Sequence, residues 1–232
     1  MKSAMISQSN YIPWKGYFDN ISKVDEFIIY DEMQYTKRDW RNRNKIKTPQ
    51  GLKWMSIPVE VKGKFFQKIS ETKISDTSWC KNHLALLKQN YSRAPFYNKE
   101  ISFVEELYFT SFDLKTISEI NYHFISNICN YLNINTKISF SNDYPLLEEG
   151  KTERLIELCK QVKAKVYYTG SAAKNYIDPA LFEIENIDLQ YFDYSGYKEY
   201  NQLFGDFEHS VSILDLIFNE GSNAKKYLKS YI

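Results

Sequence analysis

The chain has few of the residues that build metal sites and disulfide frameworks. It contains three histidines and three cysteines among 232 residues. Cys80, Cys129 and Cys159 are odd in number and far apart, and they form neither a CxxC pair nor a cluster with histidine. Their spacing supports neither a zinc site nor a set of disulfides. We therefore expect a reduced protein that requires no metal or redox cofactor.

Long apolar runs and signature motifs are also missing. No stretch approaches the roughly 18 apolar residues of a membrane span, and MKSAMISQSNYIPW has no apolar run of signal-peptide length. We expect a cytoplasmic protein without membrane insertion. A formal net charge of +1 argues against a dedicated nucleic-acid binder, which is usually basic over a whole face. The chain also lacks a Walker loop, a GxGxxG motif and a Ser-His-Asp order.

What the chain does contain is an alternation of strands and helices. Residues 3–7 predict a buried strand, Pro13 stands where a first helical turn would begin, and apolar residues in 14–24 recur at helical spacing. Residues 25–31 predict a second strand, so this region has the shape of a βαβ unit. A chain with 43% apolar and 25% charged residues is typical of a soluble globular protein with a sizeable core.

Strands and helices alternate again near the C-terminus. The predicted strands cover 137–141, 165–170 and 189–194, and the predicted helices cover 152–164 and 209–221. Helices are also predicted in the middle of the chain, over residues 76–90, 100–109 and 113–132. We therefore predict an α/β fold in a single domain spanning residues 1–232. Its architecture is a Rossmann-like, mostly parallel sheet with a helical insertion in the middle of the chain.

Three local features accompany this prediction. Residues 53–61 and 65–75 alternate well enough to predict an antiparallel strand pair around Gly63. Asp113 is expected to cap the last of the middle helices, and His209 the C-terminal helix.

Residues 8–58 have a composition that is unusual for a polar segment. Three of the four tryptophans lie there: Trp14, Trp40 and Trp54. Between Lys37 and Lys53 there are seven basic side chains and one acid. Arginine matches phosphate or carboxylate, and aromatic faces stack on bases or sugars. This composition predicts a site for an anionic, ring-bearing ligand; the alternative is a solvated basic loop beside a tryptophan-rich core.

Two predicted loops at the carboxyl ends of strands contribute to this segment. Ligands of open α/β sheets bind at that edge. In the first loop, Gly16 would allow a close approach, while Tyr11 and Tyr17 either face a ligand or fasten the helix to the sheet. Asp31, after the second strand, could orient an amine, act as a base or cap the next turn. The cations that a diphosphate would need follow at Lys37, Arg38, Arg41 and Arg43.

Among the histidines, His83 is the first candidate for a general base. A neutral imidazole titrates near cellular pH and can accept a proton. The alternative is a surface or half-buried helix histidine without a catalytic role. His123 lies in the most strongly amphipathic of the predicted helices and is expected to be structural.

Six motifs occur in order along the chain: QSNYIPWKGYF, YDEMQYTKRDWRNRNKIK, NHLALLKQNYSRAPFY, GKTERLIELC, YNQ and SVSILDLIFNEG. Together they resemble the WbqC-like family, over about residues 5–221. The positions that match the family pattern are Gln8, Pro13, Gly16, Tyr17, Asp31, Gln34, Lys37, Trp40, Arg43, Asn44, His83, Tyr91, Arg154, Gly170, Tyr200, Gln202, Asp215 and Asn219. One departure is visible, because the family's Gln-Pro pair reads Gln8-Ser9 here.

The resemblance implies a role in bacterial surface-polysaccharide (O-antigen) biosynthesis and makes the ligand a nucleotide-linked sugar. We predict a transferase that moves an acyl or aminoacyl group from acyl-CoA or an acyl-carrier protein to an amino sugar. His83 or Asp31 would be the base, and Asn44 or a loop amide the oxyanion donor. The predicted substrate-binding residues are Gln8, Tyr11, Trp14, Gly16, Tyr17, Gln34, Lys37, Trp40, Arg41 and Arg43.

Two alternatives remain open. The first is a non-catalytic nucleotide-sugar-binding or scaffold protein of a polysaccharide-synthesis complex. The second is a nucleotidyltransferase-like enzyme, because a strand, an aromatic loop and a helix followed by a basic segment loosely resemble that superfamily. The chain lacks the HxGH signature of those enzymes, so this alternative ranks last.

Overall fold

A five-stranded parallel sheet organises the protein in a computed structural model that describes residues 1–231. The strands are β1 (Ser3–Ser7), β2 (Glu26–Ile29), β3 (Arg43–Thr48), β4 (Gly51–Ser56), β5 (Lys137–Phe140), β6 (Val166–Thr169) and β7 (Asp188–Tyr191). The order in the sheet is β5-β2-β1-β6-β7, and every neighbouring pair is parallel. Strands β3 and β4 form a separate antiparallel hairpin.

Helices pack around this sheet. They are α1 (Lys15–Ser22), α2 (Trp79–Tyr91), α3 (Tyr97–Thr110), α4 (Ile117–Tyr131), α5 (Lys151–Gln161), α6 (Pro179–Ile184) and α7 (Ile213–Glu220). Helices α2 to α4 form the insertion between β4 and β5, so the prediction of a Rossmann-like sheet with a helical insertion is confirmed. Within residues 1–231, no helix combines the length and apolarity that crossing a membrane would need.

The central strands are buried on both faces, because side chains alternate across a strand. In β1, Met5 packs into one hydrophobic cluster, while Ala4 and Ile6 pack into the other. In β2, Phe27 joins the first cluster and Ile28 the second. Strands buried in this way read as continuous apolar runs, which is why residues 3–7 and 25–31 were recognisable in the sequence.

The strand order creates a switch point at the carboxyl end of β1. The chain passes from β1 to β2 on one side, and it reaches β6 on the other side only after β5. The loops that leave β1 and β6 therefore diverge, and such a crevice is where open α/β sheets bind ligands. The segment that follows β7 returns toward this crevice and supplies part of its wall, as described below.

The hairpin lies elsewhere than predicted. The basic segment itself forms it: Arg43 pairs with Ser56 and Thr48 with Gly51. Gly51 adopts φ +104°, which only glycine adopts readily, and the Thr48 hydroxyl donates to the Gly51 carbonyl at 2.8 Å. The predicted strand pair of 53–61 with 65–75 does not form as such: residues 53–56 belong to β4, and 65–75 contains a short 3₁₀ helix. The two segments are nevertheless joined by an isolated antiparallel bridge between Val59 and Ile74.

The two predicted helix caps are also wrong. Thr116 caps α4 by accepting from the Glu119 amide, and the Glu119 carboxylate accepts from the Thr116 amide in return. Helix α7 is capped by Ser212, whose hydroxyl accepts from the Leu214 amide at 3.2 Å. His209 is consequently free for another role.

Candidate functional site

A cavity of about 330 Å³ opens at the carboxyl ends of the strands. It is lined by the loop after β1, by the hairpin and its approach, and by the segment after β7. Its lining residues are Asn10, Pro13, Trp14, Trp40, Asn44, Tyr194, His209 and Ser210. The predicted site residues Trp14, Trp40 and Asn44 are therefore brought together, at the edge where the sheet topology places a ligand.

Aromatic rings form two walls of this cavity. The Trp14 indole lies 5.7 Å from the Tyr194 ring, centroid to centroid, and 5.4 Å from that of Tyr197. Gly16 makes the position of the indole possible, because a Cβ there would stand 2.2 Å from Trp14 Cζ2. Gly16 is thus required for close packing of Trp14 against the first turn of α1, and its predicted role in ligand approach is indirect.

The second aromatic wall contains Trp40, and a cluster of cationic and aromatic side chains on the hairpin extends it. Trp40 lies 5.3 Å from Trp54, and the Arg43 guanidinium lies 4.1 Å from the centre of the Trp54 ring. The Lys45 ammonium is within 5.6 Å of both rings. About 40% of Trp54 is exposed, so this cluster presents charge and ring faces beside the cavity mouth.

Two residues of the lining carry buried polar atoms that lack a hydrogen-bond partner within residues 1–231. They are Asn10, through its side-chain oxygen, and His209, through Nδ1. A buried polar group without a partner costs about 1–3 kcal/mol. A ligand that hydrogen-bonds to them would remove that cost, so the lining is suited to a polar ring compound.

The surroundings of His209 favour its neutral form. Burial lowers its pKa from the ordinary histidine value, and the nearby Lys15 ammonium lowers it further. Lys15 itself is almost completely buried among the rings of Tyr197, Tyr200, Phe207 and Tyr227, and donates to the Lys198 carbonyl. Burial lowers the Lys15 pKa to about 8. A neutral imidazole in a cavity wall can accept a proton.

Asp31 fastens the first loop. Its carboxylate accepts from the Ser9 amide at 2.8 Å and from the hydroxyls of Ser9 and Ser118 at 2.6 Å. A proline at this position, as in the family pattern, could provide neither of the two Ser9 donors. Serine in place of the family's proline therefore adds two hydrogen bonds between the loop and Asp31. Asp31 does not line the cavity, so the predicted role as base has no geometric support there.

Asn44 also acts on the loop. Its side-chain amide donates to the carbonyls of Tyr11 at 3.1 Å and Ile12 at 2.8 Å, and Ile12 has the strained φ of +34°. Both N–H groups of the amide are thus engaged. This geometry does not support the predicted role of Asn44 as an oxyanion donor, although it explains why an asparagine stands there.

His83 lies in the core. Its Nδ1 is 2.9 Å from the Tyr11 hydroxyl, which in turn is 2.7 Å from the Tyr108 hydroxyl, and Trp79 packs against the imidazole. Burial lowers the His83 pKa to about 4. Neither His83 nor Tyr11 lines the cavity. The surroundings favour the structural alternative for His83, which leaves His209 as the candidate base.

The remaining predicted residues support the loops or stand at the rim. Arg41 donates to the Ser9 carbonyl at 3.0 Å, and Tyr17 donates to the Gln8 carbonyl at 3.0 Å. Gln34 donates to the Phe65 carbonyl and so belongs to another loop. Lys37 is exposed beside the hairpin approach.

A buried network connects the hairpin to the C-terminal helix. Asp215 accepts from the hydroxyls of Tyr91 at 2.7 Å and Tyr200 at 2.8 Å, and the Tyr91 oxygen accepts from the Lys47 amide. Burial raises the Asp215 pKa, and the two phenols oppose that rise. Gln202 donates to the Tyr200 oxygen at 3.2 Å. Four positions of the family pattern thus hold β3, α2 and the segment after β7 together.

A larger cavity of about 730 Å³ lies at the carboxyl ends of β2 and β5. Its lining is acidic and includes Asp31, Glu32, Glu119 and Asp143. Asp31 has three donors, and Glu119 and Asp143 accept from backbone amides. Acidic walls repel an anion, so the smaller cavity is the better candidate for the predicted ligand.

The sequence predicted part of this lining and missed Asn10, Tyr194, His209 and Ser210. Asn10 belongs to a loop that had been singled out. The other three follow β7, and the rule that ligands bind after parallel strands is the signal that could have found them. Their approach to Trp14 depends on the strand order.

Comparisons with known proteins agree with the resemblance of the motifs. The family model of the WbqC-like protein family matches residues 8–227. The chain is also similar to the uncharacterized protein Rv1507c of Mycobacterium tuberculosis, with 51% identity over 229 residues that cover 99% of this chain and 98% of the relative. No solved structure gives a significant match. The family match spans most of the sequence, and the chain therefore belongs to the WbqC-like protein family.

Proposed function

We propose that this protein is a transferase that binds a nucleotide-linked amino sugar in the 330 Å³ cavity. It transfers an acyl or aminoacyl group to the sugar nitrogen, in a cytoplasmic step of bacterial surface-polysaccharide synthesis. The observation that carries the proposal is the combination, in one cavity, of aromatic walls, a histidine whose pKa is lowered by burial and an adjoining cationic hairpin. The rings stack on the base or the sugar, and Arg43 and Lys45 attract the diphosphate.

The chemistry requires a proton acceptor on the protein. His209 takes a proton from the sugar ammonium, and the nitrogen lone pair then attacks the carbonyl carbon of a thioester. Collapse of the tetrahedral intermediate forms the amide and breaks the carbon–sulfur bond. The His209 proton passes to the departing thiolate, and the second proton of the attacking nitrogen is released to solvent. Acyl-CoA or an acyl-carrier protein supplies the thioester. A loop N–H, in place of the engaged Asn44 amide, stabilises the oxyanion.

The proposal is tested by amide formation from nucleotide-linked amino sugars and thioester donors. His209→Asn should lower turnover by about 10²- to 10⁴-fold, since that is the usual contribution of a general base. His83→Asn should retain turnover, because His83 is in the core. If His209→Asn keeps full activity, or the wild type forms no amide with any pair, the transferase proposal fails.

A non-catalytic binding or scaffold role is the second candidate. It is favoured by the absence of carboxylates among the eight lining residues in the described part of the chain. Saturable binding of a nucleotide-linked sugar without turnover of any donor would support this candidate over the first.

A further inference from the structure

An exposed aromatic loop lies outside the lining of the cavity. Phe65 and Phe66 have 73% and 83% of their surface exposed, and their rings contact each other edge to face at 5.0 Å. Scattered exposed apolar residues are common, but two adjacent phenylalanines at these exposures leave a continuous apolar tip in water.

Two backbone turns hold this tip in place. Two consecutive turns close at 61–64 and 64–67, through bonds from the Lys64 amide to the Val61 carbonyl and from the Gln67 amide to the Lys64 carbonyl. Gly63, at φ +73°, allows the first turn. The second turn places both phenylalanines at its corners, where polar residues and glycine are usually preferred.

Hydrogen bonds to neighbouring segments also hold the loop. The Gln34 side-chain amide donates to the Phe65 carbonyl at 2.8 Å, and the Gln67 side-chain amide donates to the Glu60 carbonyl at 2.8 Å. The Tyr35 amide donates to the Gln67 carbonyl at 2.9 Å. These bonds fix the direction in which the turn projects. Gln34, which was predicted to bind substrate, therefore shapes this loop.

Positive charge surrounds the tip. Lys62, Lys64 and Lys68 flank the two phenylalanines, and no acid occurs between Lys62 and Lys68. Glu60 pairs with Lys64 and Glu32 with Lys68. The segment 60–75 contains four lysines and two acids, and with Glu32 included the net charge is +1. This small excess of positive charge favours approach to an anionic surface.

We infer that the loop at residues 61–68 docks the protein on an anionic phospholipid surface. The two phenylalanines enter the interfacial region while the lysines face the headgroups. A turn with two side chains at its corners offers too little area for a stable protein interface, which needs roughly 800 Å² per partner. Insertion into a bilayer interface requires no such contact area, because two projecting phenylalanine side chains can enter it on their own. The contact is peripheral, and the helices remain outside the membrane.

The test is flotation with vesicles of equal parts phosphatidylglycerol and phosphatidylcholine, against vesicles of phosphatidylcholine alone. The wild type should float with the anionic vesicles at low salt and be released by high salt. The double variant Phe65→Ser with Phe66→Ser should bind about tenfold or more weakly. The matched control is Phe109→Ser, since Phe109 is 82% exposed on α3, and it should bind like the wild type.

A second measurement separates insertion from simple charge attraction. Cys80, Cys129 and Cys159 are buried, so a polarity-sensitive dye can be attached selectively to Phe66→Cys or to the control Phe109→Cys. Anionic vesicles should shift the emission of the dye at 66 and leave that at 109 unchanged. The inference is overturned if the wild type does not float, if the serine pair binds like the wild type, or if the dye at 66 does not respond. It is also overturned if the loop instead mediates a dimer that the serine pair abolishes.

Discussion

His83 and His209 have the same side chain and different surroundings. Their spacing in the sequence suggested that His83, in a helix beside lysines, was the better base, and that His209 was a cap. The fold reverses this interpretation: His83 is enclosed by Tyr11, Trp79 and Tyr108, and His209 lines a cavity. A sequence gives the identity of a titratable group, but burial, which decides its pKa and its access to a ligand, depends on residues far along the chain.

The buried state of His83 predicts a pH dependence of stability. Its pKa is about 4 in the folded protein and about 6.5 in the unfolded chain. The unfolded chain therefore binds more protons between these values, and stability falls as the pH decreases from 6.5 to 4. Titration of His83 should lower the free energy of unfolding by about 3 kcal/mol over that interval, since each pKa unit of difference corresponds to about 1.36 kcal/mol.

Urea unfolding at pH 7 and pH 4 measures this effect. The variant His83→Asn keeps a polar partner for Tyr11 but cannot titrate, so its stability should depend less on pH than that of the wild type. Identical pH dependence in the two proteins would show that His83 is not held neutral by burial.

Gly16 allows a second prediction at this scale. Gly16→Ala should displace the Trp14 indole, because the new Cβ would meet it at 2.2 Å, and strain of this kind typically costs about 1–3 kcal/mol. Ligand binding to the cavity should weaken about tenfold. Gly16→Ala should cause no further loss of binding in a Trp14→Ala background, because the effects of substituting two residues in contact are not additive. Additive losses measured by calorimetry in the double variant would mean that Gly16 acts elsewhere.

At the scale of elements, the hairpin determines which side chains of the basic segment are buried and which are exposed. Its charged residues were read as a loop, because their polarity hid the alternation of strand β3. In fact Asn44 and Ile46 point inward, whereas Arg43 and Lys45 contact the exposed tryptophans. The parallel strands were easier to predict, because burial on both faces makes each one a continuous apolar run.

The hairpin predicts different roles for two neighbouring arginines. Arg43 stacks on Trp54 and donates to the Arg38 carbonyl, whereas Arg38 is exposed and has φ +60°. Arg43→Ala should therefore weaken binding of a nucleotide diphosphate more than Arg38→Ala, by roughly 1.5–3 kcal/mol if the arginine bonds to phosphate. Calorimetry on the two variants, with Arg43→Lys to retain the charge without the planar stack, measures the difference. Equal losses for Arg38→Ala and Arg43→Ala would indicate a diffuse electrostatic patch.

At the scale of the whole molecule, the site depends on contacts between distant parts of the chain. The strand order brings Tyr194 and His209 to Trp14, and the Tyr91–Asp215–Tyr200 network holds the same segments from below. Local periodicity predicted most of the elements and the edge at which a ligand binds. It could not predict which loops meet there, because two of the four neighbouring strand pairs, β1 with β6 and β2 with β5, are far apart in the sequence.

The central claim is that the aromatic cavity binds a nucleotide-linked sugar. The most direct measurement is calorimetry of the folded wild type against thymidine, uridine, guanosine and cytidine diphosphosugars, repeated with Trp14→Ala. At least one compound should bind saturably to the wild type. Loss of the indole should weaken that binding by about tenfold or more, because stacking on a base contributes about 1–3 kcal/mol. Absence of saturable binding to every compound, or unchanged affinity in Trp14→Ala, would contradict the claim.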